Sequence, residues 1–320
     1  MKYLLVVIAV IAALAAFKYP TFIKENPPSV ISEDLQSLSS DGFSFLVFGD
    51  WGRRGDYYQQ AVAWQMGVAA EKVGSNFVFG TGDNFYSDGV ESLHDDHWEE
   101  SFESIYTAQS LMKPWYMILG NHDYRGSIKA QFDYSSISVR WKIPAKYYTF
   151  SQEINDSVAV QFIAVDTTPF VTEYRKKRRF RHVEWEEPEI QLQWLDSVLT
   201  ASTADWKIVI GHHPIYSAGS KHGDTPELIQ QLKPVLHKHQ VQAYFSGHEH
   251  DLQHLRDAKE LNYFVSGAGS KIRKSGWKDI SLFGKGTAGF MIVTFLGNEM
   301  QVRCVDDKGE IIYNTTLNLQ

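Results

Sequence analysis

Short apolar runs recur along the chain, separated by segments in which apolar residues return every three or four positions. A short apolar run bounded by glycine or polar residues predicts a strand buried on both faces, as in a parallel sheet. Such strands are predicted at residues 43–48, 77–79, 115–119, 206–210 and 241–245, and a strand with alternating apolar residues is predicted at residues 158–165.

The segments between these strands show helical spacing, which predicts helices that cover the sheet. Residues 58–73 repeat apolar side chains at Ala61, Trp64 and Val68, and Gly74 is placed to end this helix. Residues 166–188 have no periodicity and predict a long irregular connection. Further helices are predicted at residues 98–106, 127–134, 188–199 and 226–239.

After residue 261 the pattern changes to consecutive short runs. Strands that alternate with helices indicate an α/β fold with a largely parallel sheet, and the consecutive runs indicate a β-rich C-terminal third. A two-sheet β-sandwich flanked by helices accommodates both patterns, and the sequence shows no internal repeat or clean domain boundary. The C-terminal strands are predicted at residues 262–265, 288–295, 300–305 and 311–317.

The first 41 residues differ from the rest of the chain. The apolar run at residues 3–17 follows Lys2 and suits the core of a signal peptide, whereas a membrane span needs about 20 residues. Residues 1–17 are therefore predicted to be a signal peptide, residues 18–41 a polar tether and residues 42–320 a catalytic domain. An exported protein is expected, whether secreted, periplasmic or lysosomal or vacuolar according to the host. An uncleaved N-terminal membrane anchor is the alternative.

Composition narrows the class of protein further. A chain of 320 residues with 43% hydrophobic and 22% charged residues is typical of a globular enzyme with a large core. The net charge of −7 gives no indication of nucleic-acid or anionic-membrane binding. Cys304 is the single cysteine, which excludes an internal disulfide and a cysteine-rich zinc site.

Polar clusters follow five of the predicted strands. In open α/β sheets ligands bind beyond the carboxyl ends of the strands, so these clusters are expected to gather at one edge. Each cluster alone is more often a turn or a helix cap, but five together predict a metal site. Their sequences are GDWG at 49–52, GDNFY at 82–86, GNHD at 120–123, GHHP at 211–214 and GHEH at 247–250.

Seven side chains in these clusters are candidate metal ligands. Seven exceed the four ligands of a tetrahedral zinc site and suit two ions that share a bridging carboxylate. Oxygen and imidazole donors favour iron, manganese or zinc, and a phenolate favours a hard trivalent ion because free tyrosine keeps its proton to about pH 10. The candidates are Asp50, Asp83, Tyr86, Asn121, His212, His248 and His250.

The five clusters resemble the five sequence blocks of the calcineurin-like metallophosphoesterases. The tyrosine of GDNFY is similar to that of the purple acid phosphatases within this superfamily. The resemblance extends over residues 43–317 and implies the metallophosphoesterase sandwich. Three further segments resemble the small tartrate-resistant acid phosphatase branch: PWY at 114–116, DLQH at 251–254 and SGAG at 266–269.

The resemblance implies a role for each candidate ligand. Asp83 would bridge two metal ions. His213 is expected to be structural, and Asp123, Asp251 and His254 are expected to orient ligands. Fe(III) would be held by Asp50, Tyr86 and His250, and a divalent iron, zinc or manganese ion by Asn121, His212 and His248.

The resemblance also implies an acid phosphatase that hydrolyses phosphate monoesters by attack of a metal-bound hydroxide. His122 and His222 would be its catalytic residues, binding phosphate or protonating the leaving oxygen. The expected partners are small phosphorylated substrates. Nucleic-acid binding is not expected, and the chain is expected to be a monomer. Two alternatives stay open: a phosphodiesterase or nucleotide hydrolase on the same scaffold, and a non-catalytic exported protein that binds metal or phosphate.

One segment departs from the mammalian relatives, which carry a disulfide in a loop near the site. The corresponding residues 166–188 have no cysteine, so redox control of this loop is not expected. Cations at residues 175–181 are followed by acidic residues, and this pattern predicts a solvated loop that neutralises its own charge. The cations are Arg175, Lys176, Lys177, Arg178, Arg179 and Arg181.

Overall fold

The structure, a computed structural model, describes residues 31–319, and the strands in this part of the chain form two seven-stranded sheets. The first sheet contains, in spatial order, β14 (Ile311–Asn318), β13 (Glu299–Asp306), β12 (Gly289–Leu296), β1 (Phe43–Phe48), β2 (Val78–Gly80), β3 (Trp115–Met117) and β4 (Trp141–Lys142). The second contains β11 (Ser281–Lys285), β9 (Leu252–Arg256), β10 (Asn262–Ser266), β8 (Ala243–Ser246), β7 (Trp206–Ile210), β6 (Val158–Ala164) and β5 (Tyr148–Asn155).

Both sheets are mixed. Strands β1 to β4 are parallel in the first sheet, and β6, β7, β8 and β10 are parallel in the second. The C-terminal strands β12, β13 and β14 extend the first sheet in antiparallel order from β1. The predicted fold class, a two-sheet sandwich with a β-rich C-terminal third, is confirmed.

The helices cover the outer faces of the sheets. In helix α5 (Pro226–Lys238), Leu228, Leu232 and Leu236 are buried at intervals of four residues and pack with strands of the second sheet. Pro226 occupies the first turn of this helix, where its missing N–H costs no hydrogen bond. The described α-helices are α1 (Glu33–Gln36), α2 (Gln59–Lys72), α3 (Ile128–Tyr134), α4 (Pro188–Ala201) and α5 (Pro226–Lys238).

Strand β1 shows how the core is divided. Phe45 and Val47 belong to the cluster between the two sheets, whereas Leu46 and Phe48 belong to the cluster beneath the helices. Successive side chains of a strand point to opposite faces, so a strand buried on both sides is apolar at every position. This burial fixes the end of β1, and therefore Asp50, relative to both sheets.

One predicted helix and four unpredicted strands separate the structure from the sequence predictions. Residues 98–106 form a short π-helical turn at Glu99–Glu103 instead of a regular helix. Trp98 stacks on Tyr134 with ring centroids 3.7 Å apart, and Phe102 contacts the ring of Trp115, so tertiary aromatic packing outweighs the local helical spacing. Strands β4, β5, β9 and β11 are further additions to the predicted set.

The predicted signal peptide and residues 18–30 of the predicted tether lie outside the described residues. The remainder of the tether packs against the domain: Leu35 is fully buried, and Ser32 Oγ donates a 2.6 Å hydrogen bond to Gly309 O. Among residues 31–319, no helix is long and apolar enough to cross a membrane.

Candidate metal centre

All five polar clusters lie just beyond the carboxyl ends of parallel strands, namely β1, β2 and β3 of the first sheet and β7 and β8 of the second. Tight backbone turns aim the side chains inward, and Asp50, Asp83 and His248 have φ values of 59°, 50° and 68°. These left-handed conformations are strained for residues other than glycine and concentrate at functional sites. A Cβ atom at Gly120 would lie 2.3 Å from Asp83, so the close approach of these loops requires glycine.

Four of the candidate ligands form a first cluster around the Tyr86 hydroxyl. Tyr86 Oη lies 2.7 Å from Asp50 Oδ1, 2.9 Å from Asp83 Oδ2 and 3.3 Å from His250 Nε2. His250 Nε2 also lies 3.4 Å from Asp50 Oδ1. Two carboxylate oxygens, a phenol oxygen and an imidazole nitrogen therefore converge on one point.

A second cluster lies on the other side of Asp83. Asp83 Oδ1 is 3.4 Å from His212 Nε2, which is 3.1 Å from His248 Nδ1. One amide atom of Asn121 lies 3.0 Å from His248 Nδ1, and the other lies 2.9 Å from Arg125 Nη2. The two carboxylate oxygens of Asp83 thus face different clusters, the arrangement that a bridging ligand needs.

The donor atoms of both clusters fit metal ions. Asp50 is fully buried and Asp83 is 2% exposed. Burial, reinforced by the charge of Asp83, raises the pKa of Asp50 to about 7. Burial acts in the same direction on Asp83, but the charges of His212 and His122 outweigh it and hold the pKa of Asp83 below its usual range. Two buried acids this close need a shared proton or a cation, and the surrounding imidazole nitrogens are metal donors.

The side chains of His250 and Asn121 bear on whether the site can ligate metal. His250 Nδ1 is buried and has no hydrogen-bond partner among the described residues. Without an ion, the hydrogen bonds of Asn121 are satisfied when its amide nitrogen faces His248 and its oxygen accepts from Arg125. In the structure the amide has the opposite orientation, with its oxygen 3.0 Å from His248 Nδ1, which is the orientation that ligation through this oxygen needs.

The two predicted catalytic histidines border the same cavity, which has a volume of about 580 Å³. The backbone N–H of His122 donates to Asp83 Oδ1 at 2.7 Å, and its Nδ1 contacts Ser87 O. The ring of His222 is exposed and lies 4.0 Å from the ring of His248. Burial lowers the pKa of His122 to about 4. Partial desolvation and the charge of Arg273 lower the pKa of His222, although its side chain keeps contact with solvent.

Residues around the clusters hold the loops together. Asp123 accepts from Gly120 N at 2.8 Å and from Asn84 N at 3.1 Å, which joins the GNHD loop to the GDNFY loop. His213 contacts Thr167 Oγ1 and Tyr174 Oη through its two ring nitrogens. These contacts occupy both ring nitrogens of His213, in keeping with the structural role expected from its sequence position.

Two of the predicted supporting residues lie elsewhere. His254 contacts Tyr313 Oη and Asn262 Oδ1, and Asp251 accepts from Gln253, so neither bonds to a candidate ligand. Sequence reasoning missed Arg53, whose guanidinium lies 3.5 Å from the centre of the Tyr86 ring. Its position directly after GDWG is the signal that could have found it.

Comparisons with known proteins agree with this geometry. Residues 43–252 match the calcineurin-like phosphoesterase family. Purple acid phosphatase 17 of Arabidopsis thaliana is 39% identical over 301 residues, covering 89% of this chain and 88% of the plant protein. Tartrate-resistant acid phosphatase type 5 of Homo sapiens is 32% identical over 309 residues, covering 90% of this chain and 95% of the human protein.

A solved structure extends the comparison. GAP50, the anchor in the inner membrane complex of Plasmodium, matches with a TM-score of 0.78 and 26% identity over 87% of this chain and 89% of its own. The sequence blocks, the sandwich and the relatives therefore agree, and the chain belongs to the calcineurin-like phosphoesterases and, within them, to the purple acid phosphatases.

Proposed function

We propose that this chain is an acid phosphatase that hydrolyses phosphate monoesters at a pair of metal ions. The position of Asp83 carries the proposal, because its two carboxylate oxygens face two separate clusters of metal-ligating atoms. The identity of 32–41% to purple and tartrate-resistant acid phosphatases supports the same activity. Small phosphorylated compounds are the proposed substrates, taken up by a monomeric, exported protein.

The proposed ligands divide between the two clusters, and Asp83 is shared. When bound, the ions would supply Lewis-acid stabilisation of charge on the phosphoryl oxygens and would acidify the attacking water. The phenol of Tyr86 favours Fe(III) in the first cluster, and the second would take divalent iron, zinc or manganese. The first cluster would use Asp50, Tyr86 and His250, and the second Asn121, His212 and His248.

The chain's own histidines would act on the substrate. His122 Nδ1 contacts Ser87 O and lies 2.9 Å from Arg125 Nη1, which leaves Nε2 for the phosphate or the leaving oxygen. The bond from His122 N to Asp83 fixes the distance between this histidine and the metal cluster. His222, on the opposite loop, is exposed enough to contact the incoming ester.

The structural match to GAP50, an anchor protein, favours one second candidate: a protein of this fold without catalysis. The complete set of candidate ligands argues against it, because buried acids and imidazoles without a metal or a proton are costly to maintain. Metal analysis together with an assay on an aryl phosphate separates the two candidates.

The decisive variant is Asp83→Ala, with Asp96→Ala as the matched control, since Asp96 is an exposed acid on the same connection between β2 and β3. We expect the wild type and Asp96→Ala to contain two metal ions per chain, one of them iron, and to be most active below pH 7. Asp83→Ala should lose metal and activity together. Fully active wild-type protein with one metal ion or none would refute the proposal.

A further inference from the structure

A positive charge lies over the ring of Tyr86, the candidate ligand that would supply a phenolate. The guanidinium carbon of Arg53 is 3.5 Å from the centre of this ring, the shortest distance between a cation and an aromatic ring among residues 31–319. A cation and an aromatic face attract each other within about 6 Å. Because a guanidinium keeps its protons and binds no metal, this charge is additional to the ligand set.

Hydrogen bonds hold Arg53 in this position. Its Nε donates to Ser270 Oγ at 3.1 Å, and Ser270 Oγ donates in turn to the backbone oxygen of Asp50 at 2.7 Å. The backbone N–H of Arg53 donates to Gln59 Oε1 at 2.9 Å. The side chain is half-buried. The guanidinium is therefore tied to the loop that carries a candidate ligand of the first cluster.

Tyr86 is held at both of its ends. The carbonyl oxygen of Tyr86 can only accept, so His97 Nε2 donates to it at 2.8 Å. His97 is 4% exposed, and its Nδ1 then accepts from Ser101 Oγ at 2.6 Å. The Tyr86 hydroxyl is held at the other end by Asp50 and Asp83. The ring therefore cannot move away from the guanidinium without breaking these bonds.

A cation fixed over this ring changes how much charge the ring can donate. Positive charge at the face of an aromatic ring stabilises the electrons of the ring, and those of a phenolate more than those of a neutral phenol. A phenolate beneath Arg53 would therefore donate less electron density to a metal ion than a phenolate without a neighbouring cation. A metal ion that receives less electron density from its ligands is a stronger Lewis acid.

We propose that Arg53 is a positioning residue that acts through Tyr86, because its charge over the ring limits the electron density that the phenolate passes to the first metal ion. Arg53 would thereby strengthen the polarisation of phosphoryl oxygens at this ion and lower the pH at which the enzyme works. The inference rests on the proposed phosphatase function and adds a residue to that same site.

The test compares Arg53→Met with Arg54→Met, both loaded with metal and checked for equal iron content. Arg54 is the matched control, because it is the neighbouring arginine and its exposed side chain pairs with Glu100. Methionine removes the charge and keeps most of the length of the side chain. The measurements are the visible band that a phenolate gives with Fe(III) and the pH profile of kcat for phenyl phosphate.

We expect the band of Arg53→Met to move to longer wavelength, since an unstabilised phenolate transfers its electrons to the metal at lower energy. The acidic limb of its pH profile should move to higher pH by roughly half a unit or more, the pKa equivalent of a cation–π contact. Arg54→Met should match the wild type in both measurements. Arg53→Lys, which keeps a charge, should restore part of both shifts, and Arg53→Gln is the second neutral variant if methionine disturbs the fold.

A double-mutant cycle tests whether Arg53 acts through Tyr86. In the Tyr86→Phe background, Arg53→Met should move the acidic limb much less than it does in the wild type. A limb that moves equally far in both backgrounds would show that the cation acts without the phenol, and would overturn the inference.

Other outcomes overturn the inference in distinguishable ways. An unmoved band in folded, iron-loaded Arg53→Met or Arg53→Gln would show that the cation does not affect the phenolate, and the phosphatase function would stand. Equal shifts in Arg53→Met and Arg54→Met would mean that only the overall surface charge matters. A wild type that binds metal but hydrolyses no phosphate ester would refute the proposed function itself, and the inference with it.

Discussion

Replacing Tyr86 with phenylalanine tests the proposed iron site with the smallest possible change. The substitution keeps the ring, which is 8% exposed, and deletes one oxygen atom. That oxygen lies within hydrogen-bond distance of Asp50 at 2.7 Å and of Asp83 at 2.9 Å. If Tyr86 is a ligand, the same oxygen is one of four donors to the first metal ion.

The expected magnitudes follow from these contacts. A hydrogen bond to a charged group contributes roughly 1.5–3 kcal/mol, and removing this donor leaves two buried carboxyls with one partner fewer. Metal-free Tyr86→Phe should therefore be less stable than metal-free wild type by about 2 kcal/mol. In the loaded protein, a phenolate bound to Fe(III) donates electron density to the metal and gives a visible absorption band. The variant should lose this band, retain iron more weakly and keep part of its activity.

The assay combines a visible spectrum, the iron content and urea denaturation of the metal-free protein. Tyr174→Phe is the control, because Tyr174 is a second buried tyrosine at the same cavity and lies next to the proposed ligands without being one of them. The control should keep the band. If iron-loaded Tyr86→Phe keeps it as well, Tyr86 is not a ligand and the Fe(III) assignment falls.

Three further predictions concern stability. Burial raises the pKa of Asp166 to about 7, so the folded protein keeps a proton that the unfolded chain loses above pH ~4. The contribution of Asp166 to stability should therefore fall as pH rises. The stability of Asp166→Asn relative to the wild type should increase by about 2–3 kcal/mol between pH 5 and 8 in urea denaturation, and an unchanged difference contradicts this. A chelator should lower the melting temperature of the wild type but not of Asp83→Ala, and equal shifts would place the metal elsewhere. Phe45→Ala should cost about 3–5 kcal/mol, against less than about 0.5 for exposed Val139→Ala, and similar losses would contradict the assigned core.

Much of the fold could be predicted because its strongest signals are local. The strand predicted at residues 206–210 is observed as Trp206–Ile210, and the helix predicted at residues 226–239 is observed as Pro226–Lys238. A strand buried on both faces and a helix with leucine at every fourth position can be recognised from the sequence alone, without knowledge of their packing partners. Strand β5 could not be recognised in this way. Gln152 interrupts the apolar residues on its inward-facing side, and only its pairing with β6 identifies it as a strand.

The candidate site could be predicted for a topological reason. Asp50 and His250 are far apart in sequence, yet the ends of parallel strands bring them to 3.4 Å. The cavity wall could not be predicted in the same way. Arg179 and Tyr174 lie in a segment without periodicity, and their positions depend on the burial of Phe180. His254 was wrongly expected to orient a ligand, because its ring instead stacks on Phe264.

The division of ligands between the sheets has a consequence for stability. Asp50, Asp83 and Asn121 follow strands of the first sheet, whereas the histidine ligands follow β7 and β8 of the second. Each proposed ion would take ligands from both sheets, so metal binding would cross-link the two halves of the sandwich. Without metal, the same edge holds buried acids and strained turns at Asp50 and Asp83. The free energy of metal binding must therefore offset part of the cost of assembling the site, which couples the activity of this fold to its stability.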